Sequence, residues 1–324
     1  MRNTLIGITR VALAVVATFA MSGAFAQSWP AKPVRIIVPF GPGGGTDIQA
    51  RLLGKHFNES LKQTFIVDNR AGAGGLIGGE LAVQSPPDGY TILFTTASLA
   101  VNVTLYGKRI KFEPLKDLTP VSWISSTPLV LVAHPSVPAK SVKDLVALAK
   151  RTGKMNAGSN GAGTTSHLSV EMLKQMTGIN VAHIPYKGGG PSMVALASGE
   201  TDLLFATGPV AAPQMKAGRV KGLAVTTVKK SSAFPDLPTM NSVYPGFESD
   251  NWYAMFFPAG TSKEIVAKLN SEIAKALKTK DLQEFMAREA LDPVASSPEQ
   301  LQANFKREIE RYAKIIKAGN ITVE

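Results

Sequence analysis

The chain has 324 residues, 44% hydrophobic and 18% charged, with 29 Gly, 21 Pro and no Cys. That much apolar material excludes a disordered or low-complexity chain, and the missing thiols exclude disulfide frameworks, thiolate zinc sites, iron–sulfur clusters and cysteine nucleophiles. Lys and Arg number 35 against 24 Asp and Glu, a net charge of +11 that favours an anionic partner without saying which.

Residues 1–26 read as a secretory signal. Arg2 and Arg10 supply the positive start, Val11 to Met21 is almost wholly apolar, and Ala24-Phe25-Ala26 forms an A-x-A cleavage site before Gln27. The apolar run is shorter than the ~20 residues a membrane span needs. Without Arg2 and Arg10, the 35 basic residues become 33 against 24 acidic, so the mature chain keeps +9. No later stretch approaches a spanning helix. The mature protein is therefore expected to be soluble and outside the cytoplasm.

At about 150 residues per domain, the length predicts two domains. Val34 to Val38 reads as a buried strand, followed by a Gly-rich turn and an amphipathic helix from Thr46 to Phe57. Thr64 to Asp68 is a second strand, followed by the Gly-rich turn Ala71 to Gly75 and a helix to Gln84. Pro86-Pro87-Asp88-Gly89 is a turn, and Tyr90 to Thr95 a third strand. The rhythm resumes with a strand at Leu129 to Ala133 and a helix capped by Ser141 and ended by Gly153. Short strands follow at Met155 to Ser159, Val181 to Pro185, Asp202 to Ala206 and Gly222 to Thr226, separated by helices at Ser166 to Met176, Pro191 to Gly199 and Val210 to Ala217. Two helices close the chain, Lys263 to Leu277 and one opened by Ser297-Pro298 and ending near Gly319. This strand–turn–helix rhythm predicts an α/β fold with parallel sheet. The expected division is 1–26 signal, 27–123 with 227–324 as the first lobe, and 124–226 as the second. A cleft between two such lobes is where small ligands sit.

Three turns carry the chemical signal. Pro39 to Asp47 follows a strand and opens a helix, with Gly43-Gly44-Gly45 at the junction. The first N–H groups of a helix have no internal acceptor, the dipole adds positive charge there, and glycine lets a ligand approach the main chain. The turn is an anion receptor made of backbone. It also mimics a dinucleotide fingerprint, Gly41-x-Gly43-x-x-Thr46 with Asp68 at the end of the next strand. Pro42 inside the turn, Thr46 in place of the last small residue and the export signal argue against a nucleotide. Asn160 to His167 is a second such junction, whose hydroxyls cap the helix or meet ligand oxygens. Asn69 to Gly79 is a third, read as close packing of helix on sheet.

Other chemistry finds no support. His56, His134, His167 and His183 include no pair at helical spacing, and there is no H-E-x-x-H, G-K-[ST] or G-x-S-x-G. Metal, cofactor and hydrolase readings have no motif. The basic residues are scattered without stacking aromatics, which argues against nucleic acid. Trp252-Tyr253 and Phe256-Phe257 read as core, with Trp252 as an alternative cleft residue.

The chain resembles the periplasmic receptors of tripartite tricarboxylate transporters, the Bug or TctC-like family. The resemblance rests on Trp29-Pro30, Val38 to Asp47, Asn69 to Gly75, Pro87-Asp88-Gly89-Tyr90-Thr91, Pro185-Tyr186-Lys187-Gly188 and Phe257 to Thr261, and it covers nearly the whole mature chain. It implies a type II periplasmic binding fold of two α/β lobes, no catalysis and no cofactor. It also implies a small di-, tri- or aromatic carboxylate as ligand and the membrane permease subunits as partner. The first loop then holds a carboxylate through backbone N–H groups and ordered water, with Phe40, Gly43, Gly44, Gly45, Thr46 and Asp47 as ligand residues. Ser159, Asn160, Thr164 and Thr165 map onto the second-lobe contact, and Ser98 in the loop Thr95 to Asn102 onto the cleft edge. In Leu203-Leu204-Phe205-Ala206-Thr207, Ala206 stands where family members commonly carry Asp, which removes a partner for a ligand amine and disfavours amino acids. A sensing adaptor, or a secreted α/β enzyme acting on a small acid, are the alternatives in other classes.

Overall fold

The computed structural model describes residues 29–322, so the signal segment lies outside the described residues. The first elements alternate: β1 (Val34–Val38), α1 (Gly45–Leu61), β2 (Phe65–Asn69), α2 (Leu76–Val83) and β3 (Thr91–Thr96). Then come α3 (Ser98–Leu105), the single turn α4 (Pro114–Asp117) and the long β4 (Leu118–Ala133). The middle of the chain holds α5 (Val142–Thr152), β5 (Asn156–Ser159), α6 (Thr165–Thr177), β6 (Ala182–Pro185), α7 (Gly189–Ala197), β7 (Leu203–Thr207), α8 (Gly208–Lys216) and β8 (Lys221–Val225). The return comprises α9 (Met240–Val243), β9 (Asp250–Pro258), α10 (Lys263–Ala276), α11 (Lys280–Arg288), β10 (Asp292–Pro293) and α12 (Pro298–Ala318).

The strands run in the order β2-β1-β3-β9-β4-β7-β5-β6, with β8 and β10 also on β4. This order repeats itself. β1 lies parallel between β2 and β3, beside antiparallel β9; β5 lies parallel between β6 and β7, beside antiparallel β4. Each half therefore has a central strand, β1 or β5, that runs into a Gly-rich turn and a helix. β4 joins the halves: it pairs with β9 as far as Pro128 and with β7 from Leu129. From Lys32 on, both predicted lobes fall in one compact unit, since β4 runs through both. No helix among the described residues is long and apolar enough to cross a membrane.

Strand alternation builds the core. Leu129, Leu131, Leu203 and Phe205 face one apolar cluster with Leu145, Val170 and Leu173. Their neighbours Val130, Val132, Leu204 and Ala206 face another, with Met193, Leu196 and Val210. Trp252 packs with Ala254, Phe256, Phe305 and Tyr312 in a third. It is fully buried and packs at a tilt against Trp123, ring centroids 4.8 Å apart, so it is core and not a cleft residue.

One expectation is corrected. Thr95 to Asn102 is not a loop: α3 begins at Ser98, and Ser98 to Asn102 are all buried, so the helix shows no polar face and no helical period in sequence. Leu118 to Pro128 and β9 were not anticipated as strands. The first carries two prolines and several hydroxyls, and the second is buried along nearly all its length and shows no alternation.

Candidate functional site

The ends of β1, β3, β5 and β7 meet around a narrow cavity of about 30 Å³, well below the roughly 300–1,000 Å³ of open ligand sites. Phe40, Gly44, Gly45 and Thr46 form one wall. Gly44 is the N-cap of α1 and makes no side-chain cap. Among the described residues no protein group accepts from the N–H groups of Gly45, Thr46 and Asp47. Glycine is required at Gly45, where a Cβ would lie 2.3 Å from the Tyr253 hydroxyl oxygen. At Gly44 a Cβ would lie 3.3 Å from the backbone nitrogen of Gly189.

Asp47 faces away from the cavity and braces this turn. Its Oδ2 accepts from the Gly43 N–H at 3.0 Å and from Arg51 Nε at 3.1 Å. Burial pushes the carboxyl up, but the hydrogen bonds from Arg51, Gly43 and Asn69 outweigh it and hold Asp47 below its ordinary pKa. Asn69 also donates to the Phe40 carbonyl at 2.9 Å. Asp68, the acidic residue of the dinucleotide mimic, is engaged by Arg35 at 2.6 Å and Arg70 at 3.1 Å, leaving no ribose partner.

Asn160, Thr164 and Thr165 form the opposite wall. Thr164 caps α6: its hydroxyl donates to the Gly161 carbonyl at 2.7 Å and accepts from the His167 N–H at 3.3 Å. Asn160 Oδ1 accepts from Ser192 at 2.9 Å, and its amide nitrogen has no partner among the described residues. Two histidines support the turn from behind, stacked with centroids 4.1 Å apart. His183 Nε2 bonds the Ser159 hydroxyl at 2.6 Å, which accepts from the Gly161 N–H at 3.1 Å. His167 Nδ1 accepts from the Gly163 N–H at 3.3 Å. Burial lowers both imidazoles to about 4, helped at His167 by Lys174 and at His183 by His167, so both are neutral at pH 7, as an accepting Nδ1 requires.

The remaining wall comes from four other elements. Thr96 donates to Ser98 Oγ at 3.0 Å and accepts from the Ser98 N–H at 3.2 Å, at the start of α3. Gly189 opens α7, and Thr207 is the N-cap of α8. From β9 come Asn251 and Tyr253. Asn251 Oδ1 accepts from the Thr165 hydroxyl at 3.3 Å, while its Nδ2 is buried without a partner. The Tyr253 hydroxyl is likewise buried and unpartnered; burial raises it to about 12 against the opposing effect of Thr207 and Asn251 beside it, so it stays protonated.

The starts of α1, α3, α6, α7 and α8 thus converge on one space, and no Lys, Arg, Asp or Glu lines it. Each helix start contributes partial positive charge, and α1 also presents free N–H groups; at α3, α6 and α8 the Ser98, His167 and Gly208 N–H groups are taken by Thr96, Thr164 and Thr127. Two buried side-chain donors add to them, and a buried donor left unpaired costs about 1–3 kcal/mol. An anion with several oxygens satisfies all of these groups; a cation satisfies none of the donors. The hydroxyl–imidazole pair of Ser159 and His183 is no nucleophile and base for this space, because Ser159 is fully buried behind the wall.

The structure brings together Phe40, Gly44, Gly45, Thr46, Ser98, Asn160, Thr164, Thr165 and Thr207 from the expected set. It leaves out Gly43, whose N–H is taken by Asp47, as well as Asp47 and Ser159, both committed to bracing their turns. Ala206 is a correction: alternation along β7 turns it into the apolar cluster with Val130 and Val132, so an acidic residue there would not face this cavity. Thr96, Gly189, Asn251 and Tyr253 were missed. Gly189 adjoins the Pro185 to Gly188 marker, whereas Asn251 and Tyr253 reach the site only through the pairing of β9 with β3 and β4.

Comparison with known proteins gives a consistent picture. The chain is 37% identical over 314 residues to protein BugT of Bordetella pertussis, covering 94% of this chain and 96% of that one. Periplasmic binding protein BugD superposes with a TM-score of 0.88 at 33% identity, covering 91% of this chain and all of that one. Rpa4515 of R. palustris, solved with adipate, gives 0.87 at 34% identity, covering 91% and 99%. MatC of Rhodopseudomonas palustris, with bound malate, gives 0.85 at 28% identity, covering 89% and 100%. The fold is that of these periplasmic binding proteins. The family model of the tripartite tricarboxylate transporter family receptor, TctC, matches residues 49–321, and the chain belongs to that family.

Proposed function

We propose that this protein is an extracytoplasmic receptor for a small carboxylate, a di- or tricarboxylic or aromatic acid. The acid is captured as the lobe formed by 27–123 and 227–324 closes on the lobe 124–226, and is delivered to the membrane permease subunits of a tripartite transporter. Five helix starts and two unpartnered donors around a space with no charged side chain are the observation that carries this reading. The adipate and malate held by Rpa4515 and MatC support it. With no carboxylate on the wall, a ligand amine would lack a counter-ion, so plain acids are favoured over amino acids.

The energetics are sufficient without an arginine. Micromolar binding needs about 8 kcal/mol. Hydrogen bonds to a charged group contribute about 1.5–3 kcal/mol each, so three or four suffice before ordering costs. The +9 of the mature chain speeds encounter with an anion and weakens with salt. Thermal-shift screening of residues 27–324 against carboxylic acids, matched amides and amino acids tests the reading. At 100 times its dissociation constant a ligand adds about 2.7 kcal/mol of stability. Stabilisation by free acids and not by their amides is expected; stabilisation by amides or cations alone refutes the proposal.

A further inference from the structure

The third Gly-rich turn takes no part in the cavity wall, yet it touches the second turn. Gly74 has φ +61, and a Cβ on it would fall under 3.0 Å from the Ala162 carbonyl oxygen. Tyr106, just past α3, donates its hydroxyl to the same carbonyl at 3.4 Å. Asn102 holds the third turn in place by donating to the Gly74 carbonyl at 2.9 Å. Gly74, Asn102 and Tyr106 belong to the first proposed lobe, and Ala162 to the second.

A matching contact lies at the first turn. The Gly41 N–H donates to the Lys187 carbonyl at 2.6 Å, and a Cβ on Gly41 would lie 2.7 Å from that same oxygen and 3.4 Å from Pro191 Cγ. The three atoms nearest to such a Cβ all lie in the second proposed lobe, and the φ of Gly41 is outside the left-handed region. Backbone conformation and packing within its own lobe therefore do not call for glycine at Gly41; the approach of the other lobe does. Facing it, a Cβ on Gly190 would fall under 3.0 Å from the Pro42 carbonyl oxygen. The obstacles at both contacts are main-chain carbonyls, which cannot swing aside as the tip of a flexible side chain can.

We propose that the lobes close through a seam of main chain on main chain, with Gly41 and Gly74 as its positioning residues. Neither lines the cavity; each acts by lacking a side chain where the opposite carbonyl must arrive. This rests on the receptor reading, in which an acid is held between two closing lobes, and it deepens it: the closed form is set by contacts that the ligand does not make. A methyl group at either position wedges the seam open and lowers the share of molecules able to close. Apparent affinity falls in proportion to that share, although every group on the cavity wall is unchanged.

The experiment is small-angle X-ray scattering of residues 27–324 with and without saturating acid, paired with calorimetric titration; the probe is the tightest binder among adipate, malate and benzoate. Gly41→Ala and Gly74→Ala are compared with the unaltered protein and with Gly107→Ala, whose φ is also left-handed (+49) but whose Cβ would meet nothing within 4 Å. The unaltered protein and Gly107→Ala are expected to contract when acid binds. Gly41→Ala and Gly74→Ala are expected to stay expanded and to bind about ten- to a hundredfold more weakly. Melting temperatures without acid should match between Gly41→Ala and the unaltered protein, and between Gly74→Ala and Gly107→Ala, because only closure is obstructed. Should Gly74→Ala fail to fold, Gly41→Ala decides alone, since its backbone carries no left-handed strain. Full contraction by Gly41→Ala, whatever its affinity, or equal losses in Gly74→Ala and Gly107→Ala, overturns the seam. Acid binding by the unaltered protein without contraction also overturns it and leaves the cavity as a carboxylate receptor, whereas failure of every acid to bind overturns the receptor reading itself.

Discussion

Asn251→Asp puts the anion-cage idea under the most stress, because it changes charge without changing size. Asn251 Nδ2 is a buried donor with no protein partner, on the wall that the helix starts share. Replacing it by a carboxylate oxygen removes one hydrogen bond to a charged ligand, about 1.5–3 kcal/mol. It also sets two negative charges about 4 Å apart, which costs about 4 kcal/mol at an effective dielectric near 20. The total, roughly 6 kcal/mol, is a loss of about four powers of ten in affinity. Asn251→Ala removes the donor alone and is expected to cost only about ten- to a hundredfold. Burial raises the pKa of the new carboxyl, so affinity of the Asp variant should recover as pH falls and that group takes up a proton and donates again. The assay is isothermal titration with the best acid at several pH values, with thermal melts of the free proteins as a folding control. An Asp variant that binds within tenfold of the unaltered protein at pH 7.5 would refute an anion at this wall.

Four further outcomes follow from the same geometry. Gly44→Val should abolish binding while leaving the circular dichroism spectrum intact, since even a Cβ there meets the Gly189 nitrogen at 3.3 Å; unchanged affinity by calorimetry would remove the first turn from the site. Gly45→Ala should also lose binding, and adding Tyr253→Phe should restore part of the lost thermal stability, because the clash is with the Tyr253 hydroxyl; a double variant no more stable than the single one contradicts this. Asp47→Ala should lower stability to urea by about 1–3 kcal/mol, more than the ~0.3–1 kcal/mol of a simple charge at a helix start, because the bonds to Gly43 and Arg51 go with it. Stability should fall in acid: His167 and His183 titrate at about 4 in the fold against about 6.5 unfolded, so below pH 6.5 the unfolded chain binds more protons. The loss grows from pH 6.5 to 4, up to about 3 kcal/mol per histidine. Urea melts of His183→Phe should show a shallower slope over that range, and an identical slope would contradict the assignment.

Much of this was legible along the chain. The Gly-rich turns after β1 and β5 declare themselves locally, because a helix start exposes its N–H groups whatever the rest of the fold does, and glycine marks where main chain is to be approached. Phe40, Gly44, Gly45, Thr46, Asn160, Thr164 and Thr165 could be singled out for that reason. The cap Ser297 followed by Pro298 and the stop at Gly153 are equally local and appear as read.

What the chain alone left undecided is which side chains close the cage. Asn251 and Tyr253 lie on a strand buried along nearly all its length, so no alternation marks them, and Ala206 and Thr207 looked equivalent until the pleat turned one into the core and the other to the cavity. Tyr253 reaches the site because it pairs with Thr96, far from it in sequence, and the same register sets Asn251 beside Thr165. Local amide geometry fixes where an anion can be received. Sheet register across more than half the chain fixes what surrounds it, and that register is a property of packing, which no window of neighbouring residues contains.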